Sequence, residues 1–246
     1  MESCVIDINA DVGEGIGNES ELMPLISSCN IACGGHAGDV NTMHEVVQLA
    51  KKHKVKIGAH PSFPDRENFG RKRMDISCAA LITSLKHQIK DLLSILHKEN
   101  ATLHHIKPHG ALYNLAAENE KFANVIIEVI KSMDRPVQLY VPYKSVIATL
   151  AKENKIEITY EAFADRNYNN DLSLVSREEN NAIITDENQM LQHVLYMVKN
   201  KMVKTVSGKE IPILAETICV HGDGPNVIKM VKTLNKKLEV NGVRIC

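Results

Sequence analysis

The stretch VIDINAD at residues 5–11 decides how the chain is built. Side chains two apart on a β-strand share a face, so Ile6 and Ile8 point one way while Asp7, Asn9 and Asp11 point the other. Short β-branched runs of the same kind fall at residues 30–34, 55–60, 105–109, 137–141, 156–163 and 217–221. Between them the apolar spacing is helical. Residues 78–96 repeat Ile82, Leu85, Ile89, Leu92, Leu93 and Leu96 on one face, with Ser77 placed as N-cap. Residues 226–240 carry a stripe of Val227, Val231, Leu234 and Leu238, and Gly242 follows its end. Asp186 with Gln189 opens a helix through Met190, Leu191, Val194 and Val198. Asp39 caps another through Met43, Val46, Val47 and Ala50.

Seven strand–helix alternations predict an α/β fold with a parallel sheet, most simply closed into a TIM-like (β/α) barrel. A doubly wound open sheet is the alternative. No linker interrupts the pattern, so residues 1–246 read as a single barrel domain. Two tracts fall outside the repeat. Residues 164–181 are polar and long, as expected of a loop over a site. Residues 204–214 (KTVSGKEIPIL) read as a small hairpin before the last strand.

Composition narrows the function. Lys and Arg total 29 against 30 Asp and Glu, so no basic surface is on offer to nucleic acid or to an anionic membrane. No apolar stretch approaches the roughly 20 residues that span a bilayer. The N-terminus meets acidic residues before an apolar signal segment can form. The six Cys show no C-x-x-C spacing, as expected of free thiols in a reducing cytoplasm. Trp is absent and Phe and Tyr are few, which leaves little aromatic material for stacking on bases or anchoring an interface.

The polar strand faces then become informative. His105, Lys107 and His109 share a face, as do Glu157, Thr159, Glu161 and Phe163, and Thr217, Cys219 and His221. His36 follows the second strand, His60 ends the third, and Asp223 lies in the turn after the last. The outer face of a barrel packs on helices, so these sets must point inward, toward the C-terminal rim where barrel active sites lie. Singly, each has a structural reading: Asp11 could cap a turn, and Lys107 could neutralise Asp7 or Asp11. Together on one rim they mark a site. Gly34-Gly35-His36-Ala37-Gly38-Asp39 is a glycine-rich turn before a helix, able to present N–H groups to an anion. It matches neither the Walker A pattern nor G-x-G-x-x-G.

The blocks DINADVGEG (7–15), NIACGGHAGD (30–39), IGAHPSFPDRENFGR (57–71), IKPHGALYN (106–114), EAFADRNY (161–168) and TICVHGDGP (217–225) resemble the LamB/YcsF family along nearly the whole chain. In YNNDLSLVSR (168–177) the sequence departs from that family, which usually has a glycine after the Asp and a proline before the Arg. The resemblance implies a seven-stranded variant of the barrel, like those of metal-dependent deacetylases. It also implies the A subunit of a 5-oxoprolinase, which converts 5-oxo-L-proline to L-glutamate with hydrolysis of ATP (with Mg²⁺) in a complex with two further subunits, B and C.

Opening an unstrained lactam requires a better leaving group and an activated water. Asp11, His36, His60 and His109 form the expected core constellation, as metal ligands or as acid–base groups, with Lys107 and Glu161 beside them. A divalent metal, if held, is expected on Asp11, His60 and His109. Arg66 and Lys107 could hold a carboxylate or phosphate, and Asp165, Arg166, His221 and Asp223 complete the rim. Two other functions fit the same residues: a stand-alone metal-dependent deacetylase or amidase, and a non-catalytic scaffold that binds 5-oxoproline for its partners.

Overall fold

In a computed structural model, which describes residues 4–222, 224 and 226–246, the first strand β1 (Cys4–Val12) pairs parallel with both of its barrel neighbours. The order runs β1, β2 (Ser28–Ala32), β3 (Lys56–His60), β4 (Leu103–Ile106), β5 (Gln138–Pro142), β6 (Ile158–Phe163) and then β9 (Thr217–Cys219). Pairing of β9 with β1 closes a seven-stranded parallel barrel. The alternation expected from the sequence therefore appears as a closed barrel and not as an open sheet.

Helices pack outside, four of them through the faces read from their spacing, although Leu93 of the 78–96 face is exposed. They are α1 (Glu19–Leu22), α2 (Val40–His53), α3 (Cys78–Lys98), α4 (Gly110–Glu118), α5 (Glu120–Lys131), α6 (Val146–Glu153), α7 (Glu187–Asn200) and α8 (Val227–Val240). Three of the expected caps form. The Asp39 side chain accepts from Thr42 N, Ser77 from Ala80 N, and Asp186 from Asn188 N and Gln189 N. The expected insertion is an antiparallel hairpin of β7 (Met202–Lys204) and β8 (Glu210–Pro212). One strand was not expected: β10 (Val243–Ile245) pairs with Cys4–Ile6, below the level at which β9 pairs.

Inside the barrel the polar strand faces interlock in tiers. At the bottom, Asp7 accepts from Ser28 Oγ and Thr217 Oγ1, each at 2.6 Å. Above it, Asn30 donates to Asn9 Oδ1 and Asp11 Oδ1, both at 2.8 Å, and Asn9 Nδ2 reaches Glu161 Oε1 at 2.9 Å. His105 Nε2 meets Asn30 Oδ1 at 2.7 Å. That reach crosses Gly58 on β3, where a Cβ would overlap the imidazole. Glu157, expected on the inward face, stays exposed before β6 begins.

Residues 164–186 cross the rim as a folded loop. The bridges Arg166–Ile183 and Tyr168–Leu174 hold it together. The hairpin props it from below: Thr205 Oγ1 and Ser207 Oγ both donate to Asn170 Oδ1, and Val206 N donates to Tyr168 O. Leu172, at the position where the LamB/YcsF pattern has glycine, adopts φ +69°, a left-handed conformation costing about 1–2 kcal/mol for a residue with a Cβ.

Candidate active site

Asp11, His60 and His109 meet at the C-terminal end of the barrel. β4 ends at Ile106, but the chain stays extended beyond it. Lys107 N donates to Ala59 O and His109 N to Pro61 O, which keeps both side chains on the inward face. Lys107 Nζ is buried against Asp11 Oδ1 at 2.9 Å, Glu161 Oε1 at 3.0 Å and Cys219 Sγ at 3.0 Å. An ammonium has three N–H donors, so Lys107 is fully committed. It neutralises two buried carboxylates and has no donor left for a substrate carboxylate. Burial alone would pull its pKa down, yet Asp11, Cys219 and Glu161 outweigh it and hold the lysine well above its usual range. For Asp11, burial pushes upward, but His60 and Lys107 keep the carboxyl well below its usual range.

Above this pair stand three imidazoles. His60 Nδ1 lies 2.7 Å from Lys107 O, and His109 Nε2 lies 2.9 Å from Phe69 O. A carbonyl accepts only, so each of those nitrogens carries the proton. The other nitrogens, His60 Nε2 and His109 Nδ1, face each other at 3.0 Å. His36 stacks flat on His109 at a centroid distance of 3.6 Å and meets Glu14 Oε1 through Nε2 at 2.9 Å. Glu14 also stands 3.4 Å from His109 Nδ1 and 4.0 Å from His60 Nε2. One donor atom from each of Glu14, His36, His60 and His109 lies within 4.8 Å of every other. Burial drives His36 down to about 4 and His109 well below the usual imidazole range, so both are neutral at pH 7.

Loop backbone holds this cluster together. Phe69 sits at φ +54° and turns its carbonyl onto His109 while its ring packs edge-on against His36 and His109. At Gly70, a Cβ would press on His36 and His109 at 3.0 Å. Across the rim, Asp165 accepts from His221 N and faces His221 Nδ1 at 2.9 Å, which fixes that imidazole's orientation. Burial raises the Asp165 carboxyl, but His221 outweighs this and holds it below the usual range.

A cavity of about 390 Å³ opens over these groups, lined by Asp11, Glu14, His60, Lys107, His109 and His221. Arg71, Lys72, Arg166 and Arg177 border it as well. Arg166 is buried and spends Nη2 on Val175 O at 2.5 Å. Arg66 is not among the lining residues: it is exposed and donates to the carbonyls of Gly34 and Gly38. The glycine turn that could hold an anion thus presents carbonyls to a cation, and Gly34 N is taken by Ala37 O. Asp223 lies outside the described residues. Glu14, Asn30, Tyr113 and Arg71 are additions that strand alternation did not reveal. Glu14 had one signal, its place inside the DINADVGEG block.

Comparison with known proteins places the chain. Residues 6–246 match the model of the LamB/YcsF family. The A subunit of 5-oxoprolinase from Haemophilus influenzae (strain PittEE) is 43% identical over 240 residues, 98% of each chain. That of Bacillus cereus (strain AH187) is 40% identical over 247 residues, again 98% of each. The crystal structure of the Lactam Utilization Protein from Thermus thermophilus superposes with a TM-score of 0.91 at 36% identity, covering 98% of both chains. The chain belongs to the LamB/YcsF family.

Proposed function

We propose that this chain is the A subunit of an ATP-dependent 5-oxoprolinase. It binds 5-oxo-L-proline in the rim cavity, and with two partner subunits, B and C, opens the lactam to L-glutamate as ATP is hydrolysed. The observation that carries this reading is the near full-length match to relatives named as A subunits of 5-oxoprolinase. The cavity supports it by gathering an ionised carboxylate and an oriented imidazole in one place.

Asp11 is the base. One of its oxygens is taken by Asn30 and Lys107, and the other, Oδ2, faces His60 Nε2 at 3.3 Å. A water on the Asp11 Oδ2 side gives up its proton there as its oxygen bonds to the lactam carbon. His221 is the acid. Asp165 holds Nδ1–H, so in the imidazolium form the other nitrogen, Nε2, hands its proton to the ring nitrogen as the C–N bond breaks, and the ring is left as the neutral Nδ1–H tautomer. Lys107 pairs with Asp11 and Glu161 without touching substrate. Arg71 and Lys72 at the mouth suit the substrate carboxylate, or a phosphate delivered to the amide oxygen.

The donor set Glu14, His36, His60 and His109 fits a divalent transition metal of the Zn, Mn, Fe or Co class. Two of its histidines already have their outer N–H groups on backbone carbonyls, the usual support for a ligating imidazole. Asp11, also expected among the ligands, gives Oδ1 to Lys107 and Asn30 and turns Oδ2 toward His60 Nε2 beside this set. A bound ion would polarise an amide or phosphoryl oxygen. That cluster also favours a second reading, an ATP-independent amidase or deacetylase.

Reconstitution separates the two. Mixed with both partner subunits, ATP and Mg²⁺, the chain is expected to release glutamate from 5-oxoproline, and by itself to release none. Turnover of an N-acetylated sugar by the isolated chain without ATP would replace this reading with the second.

A further inference from the structure

A groove of about 560 Å³ lies between the last turns of α3 and α5, beside the stretches that lead into β4 and β5. Strands begin and helices end on this side, so it is the floor of the barrel, opposite the rim cavity. Ile89, Leu96, Val129 and Val137 form its buried apolar base. Leu93 belongs to the apolar stripe of α3 yet finds no cover there: it is 37% exposed and opens onto the groove. Lys86, Lys90, Leu93 and His97 fall at i, i+4, i+7 and i+11 along α3, a single ridge roughly 16 Å long.

The walls are one-sided in charge. Lys86, Lys90 and Arg135 stand against the single carboxylate of Asp134, and among the described residues none of these four has an ion-pair partner. Acids close by in the chain are spent on other partners: Asp91 on His87, Glu128 on Lys131, and Glu99 on His44 and Lys51. Cations in a last turn answer the helix dipole, but Lys86 and Lys90 lie more than two turns before α3 ends at Lys98. Acidic and basic residues nearly cancel over the whole chain, so this excess is local. We infer that the groove docks an amphipathic helix of a partner subunit, one that carries acidic side chains beside an apolar stripe. Leu93 and the base take the stripe, while Lys86, Lys90 and Arg135 take the acids. Docking at the floor leaves the rim cavity open to substrate. This deepens the 5-oxoprolinase reading, and rests on it, by assigning the face that a partner holds.

Biolayer interferometry of the full chain against purified subunits B and C, singly and together, tests the groove. Lys86→Glu with Lys90→Glu reverses the wall, and Leu93→Asp puts a charge over the apolar base. All three side chains are exposed, so the fold tolerates both changes. Each variant is expected to raise Kd at least about tenfold. Lys232→Glu with Lys236→Glu, an equal charge change at exposed positions of α8, is expected to leave Kd where it was. Wild-type affinity in the groove variants, or an equal loss in the α8 control, would overturn the groove and leave the functional reading in place. A dimer of the wild-type chain that Leu93→Asp abolishes would give the groove to a second copy. Saturable laurate binding lost in that variant would give it to a fatty acid, and either result overturns the proposal. Failure of the wild type to bind either subunit would overturn the groove and the functional reading together.

Discussion

His60 Nε2 and His109 Nδ1 face each other at 3.0 Å, while the opposite nitrogen of each ring is held by a backbone carbonyl. Where each ring carries only the proton that its carbonyl fixes, two lone pairs meet with no proton between them. A cation placed there, beside Glu14 Oε1 and His36 Nε2, turns that repulsion into coordination. Protein purified without chelator is expected to carry close to one transition-metal ion per chain, and His109→Ala to lose most of it. Elemental analysis checks this directly. Well under one ion in the wild type would return the three imidazoles to hydrogen bonding and proton transfer.

Lys107 tests the balance of charge inside the barrel. Replacing it by Met keeps its length but leaves Asp11 and Glu161 buried without their shared cation. Breaking a buried pair in this way costs about 3–5 kcal/mol. Urea denaturation of Lys107→Met should show a loss of that order, whereas Lys86→Met on an exposed helical face should show almost none. Equal midpoints for the two variants would mean that the carboxylates are relieved by water or by protonation.

Acid should loosen this protein earlier than its carboxylates require. Burial holds His36 and His193 at about 4, against 6.5 for an unfolded histidine. Between those values the unfolded chain binds protons that the folded chain does not, so stability falls as pH falls from about 6.5 to 4. The depressed Asp11 acts lower down: its contribution is complete above the unfolded carboxyl value of 3.8 and is lost only as pH drops toward its folded value. Denaturation midpoints measured from pH 7 to pH 4 should therefore decline, and His193→Gln, away from the cavity, should decline less steeply. A flat wild-type profile above pH 5 would contradict the burial of neutral imidazoles.

Much of this molecule is legible in its amino-acid sequence. Period-two alternation locates the inward residues of β1, β6 and β9, and N-cap side chains mark α2, α3 and α7. Legibility stops where direction is no longer set by a repeat. Glu14 lies between Gly13 and Gly15, both at positive φ, and alternation says nothing about where such a loop turns its side chains. Arg66 and Arg71 flank one irregular loop, and no spacing rule says that the second lines the cavity. The saturation of Lys107 is equally hidden, because its partners Asp11 and Cys219 are 96 and 112 residues away along the chain. Three-residue β10 has too few positions to display any period.

Asp165 and His221 give the sharpest test of proton transfer. Asp165 touches both the backbone N–H and the Nδ1 of His221, with both contacts between 2.9 and 3.0 Å, so it sets ring position and tautomer together. Asparagine in its place keeps the shape and can still accept from His221 N. Its amide can also turn an N–H toward Nδ1, which would move the imidazole proton to the other nitrogen and leave a neutral ring with none to accept the next one. Such a tautomer error costs orders of magnitude in rate where a carboxylate orients a catalytic histidine. Asp165→Asn in the reconstituted complex is therefore expected to lower kcat at least about a hundredfold, with little change in KM or in the denaturation midpoint. His221→Gln should lose a similar factor, and the double variant little more than either alone, because the two act as one unit. Losses that multiply in the double variant would show that the residues work separately, and would remove His221 from the role of acid.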